Sequence, residues 1–244
     1  METVCTGGIT SEGQWIRLHP VSFRYLDSDQ QYRKYQWICV DVTKHERDTR
    51  AESFRPNEDT IHVLGPPLGT GNRWEDRKKV VLPLEKASLE AIKDSKETLG
   101  LFRPAKIESI KATADLLPWS RRHMALFEQQ RLFGPQQKPL EKMPWRFRIR
   151  YTCSDRRCTG HDQSILDWEV VQLFRGERKR LGSDDAAKDS TLAKLHEITG
   201  RDKDVYLYVG NILKYPKSFI VAGIFYPPKD KHAAAGERTL FSPS

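Results

Sequence analysis

Residues 145–151 read WRFRIRY, with an apolar or aromatic side chain at every odd position and an arginine at every even one. Because successive side chains of a β-strand point to opposite faces of the sheet, this period of two predicts a strand with one buried face. Arg146, Arg148 and Arg150 would then project from the outer face at intervals of about 6.6 Å. Guanidinium groups bind phosphate well, so the row is a candidate nucleic-acid contact. The alternative is an ordinary solvated sheet face.

A loop after this strand brings two cysteines and a histidine together. Cys153, Cys158 and His161 all lie within residues 153–161, and zinc favours sulfur and imidazole ligands. An open site with three protein ligands and water would be catalytic, whereas a closed structural site needs a fourth ligand. The candidates for that ligand are Asp155, Asp162 and His196. The alternative is a turn with two reduced thiols and a surface histidine.

The other two cysteines, Cys5 and Cys39, stand in predicted strands beside valine and isoleucine. Reduced cysteine behaves as a small buried hydrophobe, so we expect both in the core. They would complete a zinc site only if the two halves of the chain packed tightly together.

The first part of the chain predicts mostly short strands. Residues 3–18 have the pattern of a β-hairpin, with a turn at residues 10–13. Trp15 and Arg17 on its second strand form a smaller aromatic and basic pattern that could contact a nucleic acid, although a core tryptophan with a solvated neighbour is the alternative. Further elements are expected as strands at 36–42, 60–64 and 79–82, a helix at 88–96 ended by a turn at 100–104, and a helix from Pro118 to Gly134 that carries the basic cluster 121–123.

The second part combines strands with helices. We expect a helix over residues 165–175, a charged mobile segment at 179–189, and a helix capped by Asp189 or Ser190 that stops at Gly200. Strands at 204–209 and 218–226 follow. The sequence therefore predicts an α+β protein with two small β-rich lobes and added helices. The lobes span residues 1–140 and 141–228, and residues 229–244 form a flexible tail.

Composition favours a polyanionic partner. Forty-one lysine and arginine residues against 33 acidic residues give a net charge of +8, and such an excess attracts DNA or RNA. The most apolar run, residues 218–227, is shorter than the ~20 residues that a membrane span requires. With no secretory signal at its start and only four cysteines, the chain is expected to be a cytoplasmic protein with reduced thiols.

Several motifs, spread over nearly the whole chain, resemble the dual OB-containing domain family of bacteria. They are CTGGI at 5–9, GQWIRLHP at 13–20, CTGH at 158–161, DWE at 167–169 and FYPP at 225–228. The resemblance implies two OB-like (oligonucleotide-binding) barrels and an association with prokaryotic defence or mobile-element systems. It assigns no catalytic residue. The helix-rich segment 164–200 departs from a plain five-stranded barrel, so the second barrel would be decorated or incomplete.

Three functions are therefore open. The leading hypothesis is a nucleic-acid-binding accessory module without catalytic activity, in which Arg17, Arg146, Arg148 and Arg150 contact phosphates and zinc braces the 153–161 loop. A second is a metal-dependent nuclease or hydrolase that uses His161, Asp167 and Glu169. A third is a protein-interaction subunit of a larger complex, which would present an apolar patch.

Overall fold

The computed structural model describes residues 3–115 and 143–229. The helix expected from Pro118 to Gly134, the basic cluster 121–123, the boundary at residue 140 and nearly all of the expected tail lie outside these ranges. No helix in the described part of the chain is long and apolar enough to span a membrane.

Residues 3–83 form the N-terminal part of the fold. Strands β1 (Val4–Ile9) and β2 (Trp15–Val21) make the expected antiparallel hairpin. The remaining elements are β3 (Trp37–Cys39), β4 (Val42–Lys44), β5 (Ser53–Pro56), β6 (His62–Leu64) and α1 (Gly71–Val81), with 3-10 turns at Phe23–Tyr25, Glu58–Thr60 and Leu82–Leu84. The sheet order is β1-β2-β5-β4, with β5 parallel to β2, and β3 pairs separately with β6. A small core of Leu18, Val21, Leu26 and Ile61 lies beneath these strands.

Residues 85–115 and 143–229 together form two sheets and three helices. The elements are β7 (Glu85–Lys86), α2 (Leu89–Asp94), β8 (Leu99–Phe102), β9 (Lys106–Ala114), β10 (Trp145–Thr152), β11 (His161–Ser164), α3 (Trp168–Leu181), α4 (Asp184–Ile198), β12 (Tyr206–Ile212) and β13 (Tyr215–Phe225). One sheet has the order β11-β10-β9 and the other β13-β12-β8-β7. A bridge between Ile165 and Val221 connects them, and none of the sheets built by the described residues closes into a barrel.

The large core lies between these sheets and the helices. Phe147, Ile149 and Tyr151, the odd positions of β10, are all but fully buried, as the alternation in the sequence predicts. Phe174 of α3 and Leu195 of α4 join the same core. Each buried aromatic or aliphatic side chain of this size stabilises the fold by about 1.5–3 kcal/mol.

The α+β class and the two β-rich parts are confirmed, but both sheets cross the boundary expected near residue 140. β9 pairs with β10, and β8 pairs with β12. The side chains of Leu89, Phe102 and Ile110 enter the core formed by residues 145–225. Residues 85–114 therefore belong with the C-terminal part, because their strands find hydrogen-bonding partners there.

Three local predictions were wrong. Residues 79–82 continue helix α1 instead of forming a strand, since the Leu82 amide donates to the Lys78 carbonyl. Residues 99–102 form strand β8 instead of a turn. The strand needs a glycine at position 100 because the Ile92 side chain packs directly against it. A Cβ at this position would lie 2.5 Å from Ile92 Cδ1. Helix α4 starts at Asp184, because the Ser183 hydroxyl caps the Ala186 amide and two acidic residues favour the first turn.

Candidate metal centre and basic surface

Four side chains converge at one end of β10. The ligand atoms of Glu90, Cys153, Cys158 and His161 all lie within 4.8 Å of one another. Cys153 is buried and the other three are partly buried. A tetrahedral zinc ion with bonds of about 2.0–2.3 Å requires its ligand atoms to be within about 4 Å of each other, so a small contraction of this cluster would enclose an ion.

Local structure explains why these residues meet. The pairing of β10 with β11 places His161 opposite Tyr151, at the strand end that leads into Cys153. In the connecting loop, the Cys158 amide donates to the Asp155 carbonyl, and Gly160 adopts a φ of 95°, which only glycine enters without strain. Glu90 arrives from α2, where the neighbouring Leu89 is fully buried and anchors the helix.

The electrostatics of the cluster suit a cation. His161 Nε2 lies 2.8 Å from Glu90 Oε1 and 3.3 Å from Cys158 Sγ. The other carboxylate oxygen, Glu90 Oε2, is buried and has no hydrogen-bond partner among the described residues. A buried carboxylate oxygen without a partner carries a desolvation penalty that a bound cation would remove.

Burial also changes the acidity of two members of this cluster. It raises the pKa of the Cys153 thiol to about 12, and the nearby Glu90 carboxylate acts in the same direction. Burial lowers the pKa of His161 although Glu90 opposes it, which keeps the imidazole neutral, the form that binds metals. A divalent cation would compensate the negative charge of thiolates and carboxylate at this site.

The structure brings together the three predicted ligands but adds one that the sequence did not reveal. Asp155 pairs with Arg157, Asp162 pairs with Arg148, and His196 lies in the last turn of α4. None of these three fourth-ligand candidates is in the cluster. Glu90 could not be found from local spacing, because the packing of α2 on the core determines its position.

The residues of the hydrolase hypothesis are not assembled. His161 belongs to the four-residue cluster, whereas Asp167 and Glu169 do not. Asp167 caps helix α3 by accepting from the Glu169 amide, and both carboxylates bind Lys34 Nζ, at 3.2 and 2.7 Å. These two acids therefore have a capping and ion-pairing role, and the structure does not group them with His161 in a metal cluster.

The arginine row lies on the outer face of β10, as expected, but every member has an acidic neighbour. Arg146 contacts Asp115 at 2.8 Å, Arg148 contacts Asp162 at 2.8 Å, and Arg150 contacts Glu108 at 3.3 Å. Lys111 of β9 is exposed and stands opposite Arg148 in the sheet register. Pairs at such exposed positions contribute only about 0–1 kcal/mol each, so a phosphate can compete for the guanidinium groups.

Arg17 and Trp15, the two predicted nucleic-acid contacts in the N-terminal part, do not lie on an exposed surface. Arg17 is only 6% exposed and donates to the Thr98 carbonyl and to Glu52, at 3.1 and 3.3 Å. It is therefore a buried link between the two parts of the chain and is not available to a phosphate. Trp15 is partly buried and packs edge-on against Tyr208, in the core position that the sequence left open as an alternative.

Cys5 and Cys39 were expected in the core, yet both are exposed. Cys5 Sγ lies 3.6 Å from the Arg17 guanidinium, and Cys39 is on the exposed side of the short strand β3. Neither belongs to the cluster of Glu90 and its partners. The neighbours of Cys5 in β1 are only partly buried, and β3 contains no fully buried residue.

The comparisons with known proteins identify families without a function. Residues 85–243 match a domain of unknown function (DUF8757), and residues 1–83 match another (DUF8758). No curated protein and no solved structure matches the chain. The junction between the two matched regions lies just before β7, which is also where the strands begin to pair with the C-terminal sheets.

Proposed function

The chain belongs to the family of the domain of unknown function DUF8757, and we propose that it binds nucleic acid through the outer face of β9, β10 and β11. We further propose that a zinc ion at Glu90, Cys153, Cys158 and His161 fixes the β10–β11 hairpin from which that face is built. In this proposal the chain is a binding module, and the metal has a structural role.

The observation that carries the nucleic-acid proposal is the arginine row on an ordered strand. Arg146, Arg148 and Arg150 share one solvent-facing side, while the opposite side of β10 is fixed in the core. Each guanidinium has five N–H donors and its acidic neighbour uses only some of them. A phosphate chain along β10 could therefore bind beside or in place of the carboxylates.

The zinc proposal rests on the four ligands and on the orphaned Glu90 Oε2. Two thiolates, one imidazole and one carboxylate form a donor set that zinc accepts in a tetrahedral site. Four protein ligands leave no open position, which favours a structural role over activation of a water molecule. Cys153 follows directly on β10 and His161 opens β11, so metal binding would hold the two strands that carry Arg150 and Asp162.

Two measurements test these proposals together. Elemental analysis of the purified protein should find one equivalent of zinc. Fluorescence anisotropy with labelled single-stranded and double-stranded oligonucleotides should show binding that weakens steeply between low and moderate salt. If no oligonucleotide binds, or if salt scarcely changes the affinity, the nucleic-acid proposal is wrong. Cleavage of labelled DNA or RNA that requires a divalent metal would favour the hydrolase hypothesis instead.

A further inference from the structure

The hairpin that joins β12 to β13 has an exposed tip of unusual composition. Ile212, Leu213 and Tyr215 are 39%, 46% and 55% exposed. Lys214 and Lys217 stand in the same tip, and segment 212–217 contains no acidic residue. About half of the surface of these three large side chains remains in contact with water, and an exposed apolar cluster of this kind is typical of a binding surface.

The lysines of the tip differ from the arginines of β10 in one respect. Within residues 3–115 and 143–229, neither Lys214 nor Lys217 forms an ion pair. The Lys214 ammonium instead lies 5.3 Å from the centre of the Tyr215 ring. Two cations without an anionic neighbour, next to an exposed aromatic ring, form the combination that binds single-stranded nucleic acid by phosphate contact and base stacking.

The base of the tip is held rigidly by the N-terminal part of the chain. Asn211 is buried; its carbonyl and side-chain oxygens accept from Arg50 Nη1 at 3.1 and 3.0 Å. The side-chain nitrogen Asn211 Nδ2 donates to the Pro216 carbonyl at 3.1 Å, and Arg50 is itself fixed by Asp48. The backbone of the tip is therefore braced although its side chains face solvent.

We propose that the hairpin tip, residues 212–217, is a second contact for single-stranded nucleic acid, in which Tyr215 stacks on a base and Lys214 and Lys217 bind phosphates. This inference rests on the proposed function and specifies its ligand as a single strand, because a base is free to stack on an aromatic side chain only when it is not paired in a duplex. A protein partner, which exposed Ile212 and Leu213 would also suit, is an outcome of the test.

The experiment compares variants of the full chain in anisotropy titrations with a labelled 20-nucleotide single strand and with the matching duplex. Tyr215→Ala should weaken single-strand binding by about 5- to 150-fold, whereas Tyr215→Phe retains the ring and should bind like wild type. Lys214→Ala with Lys217→Ala should reduce the slope of log affinity against log salt by about 1.4. The effect on duplex binding should be smaller in each case.

Two controls make the result decisive. Lys214→Arg with Lys217→Arg retains the charge at the tip and should bind like wild type. Lys79→Ala with Lys194→Ala removes the same charge at exposed sites elsewhere and should change the affinity only slightly. Circular dichroism and the thermal midpoint of each variant establish that it is folded.

The outcomes separate the two proposals. If wild type binds and both the Tyr215→Ala and the lysine variants match the Lys79/Lys194 control, the tip inference is wrong and its apolar surface fits a protein partner. If the tip variants weaken duplex and single-strand binding equally, base stacking by Tyr215 is also rejected. If wild type binds no oligonucleotide, the proposed function itself fails.

Discussion

His161 Nε2 lies 2.8 Å from Glu90 Oε1, which ties the first residue of β11 to helix α2. Both side chains are 13% exposed, and Cys153 and Cys158 stand beside them. The contact therefore connects the loop after β10 with an element that enters the core from an earlier region of the chain. The same two segments are also joined by the ion pair of Arg157 with Asp94 at 2.7 Å and by the Ser154 hydroxyl, which donates to the Ala87 carbonyl at 3.0 Å. A metal ion at this point would reinforce that junction.

Removal of Glu90 should impair metal binding more than removal of a nearby acid. We expect Glu90→Ala to lower zinc affinity by about 100-fold or more, since even groups that only orient a ligand change the affinity by about 10- to 100-fold. Glu90→Cys supplies another zinc ligand and should retain the metal. The measurement is a competition titration with a chromophoric chelator.

Asp162→Ala is the matched control for this prediction, because Asp162 follows His161 in the chain but pairs with Arg148 on the outer face. An affinity for zinc that is unchanged in Glu90→Ala would show that Glu90 is not a ligand.

The sequence predicted those parts of the site and fold that depend on local pattern. The alternation in β10 and the segment with Cys153, Cys158 and His161 are visible in short windows, because strand periodicity and ligand spacing are local properties. Glu90 was not predictable, since an isolated glutamate on a short helix has no distinguishing neighbour. The prediction that Arg17 is exposed was wrong for a related reason. Its position on an alternating strand predicts a side chain in solvent, but Glu52 and Thr98, from distant segments of the chain, bind its guanidinium and bury it.

Chelation of the metal should destabilise the protein. Zinc present at about 100 times its dissociation constant would stabilise the folded state by about 2.7 kcal/mol. A change of 1 kcal/mol shifts the thermal midpoint by about 2–4 °C in a chain of this size, so a strong chelator should lower the midpoint by about 5–11 °C. Differential scanning fluorimetry with and without the chelator measures this shift. Cys153→Ala with Cys158→Ala should show no response to chelator, and a wild-type midpoint that does not respond either would contradict a structural metal.

The buried pair of Asp48 and Arg50 should give the protein an acid-sensitive component of stability. Burial alone would raise the pKa of Asp48, but hydrogen bonds from Arg50 and Ser53 outweigh it and lower that pKa well below its usual range. A group with a lowered folded-state pKa stabilises the protein above its unfolded-state pKa, and that contribution is lost as the pH falls. The loss should begin below about pH 4.

Asp48→Asn tests this component. At pH 7 we expect the free energy of unfolding to fall by about 3–5 kcal/mol, because Arg50 loses its charged partner in a buried position. The difference between wild type and variant should shrink as the pH is lowered below 4. Burial lowers the pKa of His19 and Asp48 opposes that shift, so the comparison is made in a His19→Gln background. Urea unfolding of the two proteins at each pH then isolates the effect of Asp48. A difference that stays constant from pH 7 to pH 3 would contradict this assignment.

Gly100 should tolerate no side chain unless Ile92 is reduced. A Cβ at Gly100 would lie 2.5 Å from Ile92 Cδ1 and 2.9 Å from its Cγ1, and overpacking of a core costs about 1–3 kcal/mol. Gly100→Ala should destabilise the protein by that amount in denaturant unfolding. In an Ile92→Ala background the same change should cost much less, because the clash is removed. Equal costs in the two backgrounds would show that β8 and α2 do not approach as closely as described.

The acidic neighbours of the arginine row should weaken nucleic-acid binding at the outer face of β10. Removing one of them therefore tests whether this face contacts phosphates. In Asp162→Asn the side chain keeps its size and can still accept from Arg148 Nε, but it loses the charge of the 2.8 Å ion pair. If β10 contacts phosphates, this variant should bind oligonucleotides several-fold more tightly at low salt, because one repulsive charge is removed from the face. Replacing Arg146, Arg148 and Arg150 together with alanine should reduce the salt slope for a single strand by about 2. The matched control is Asp202→Asn, which removes an exposed carboxylate from a pair with Lys203 outside this face and should leave affinity nearly unchanged. If Asp162→Asn and Asp202→Asn raise affinity equally, the effect reflects net charge alone, and the face of β10 has no particular part in binding.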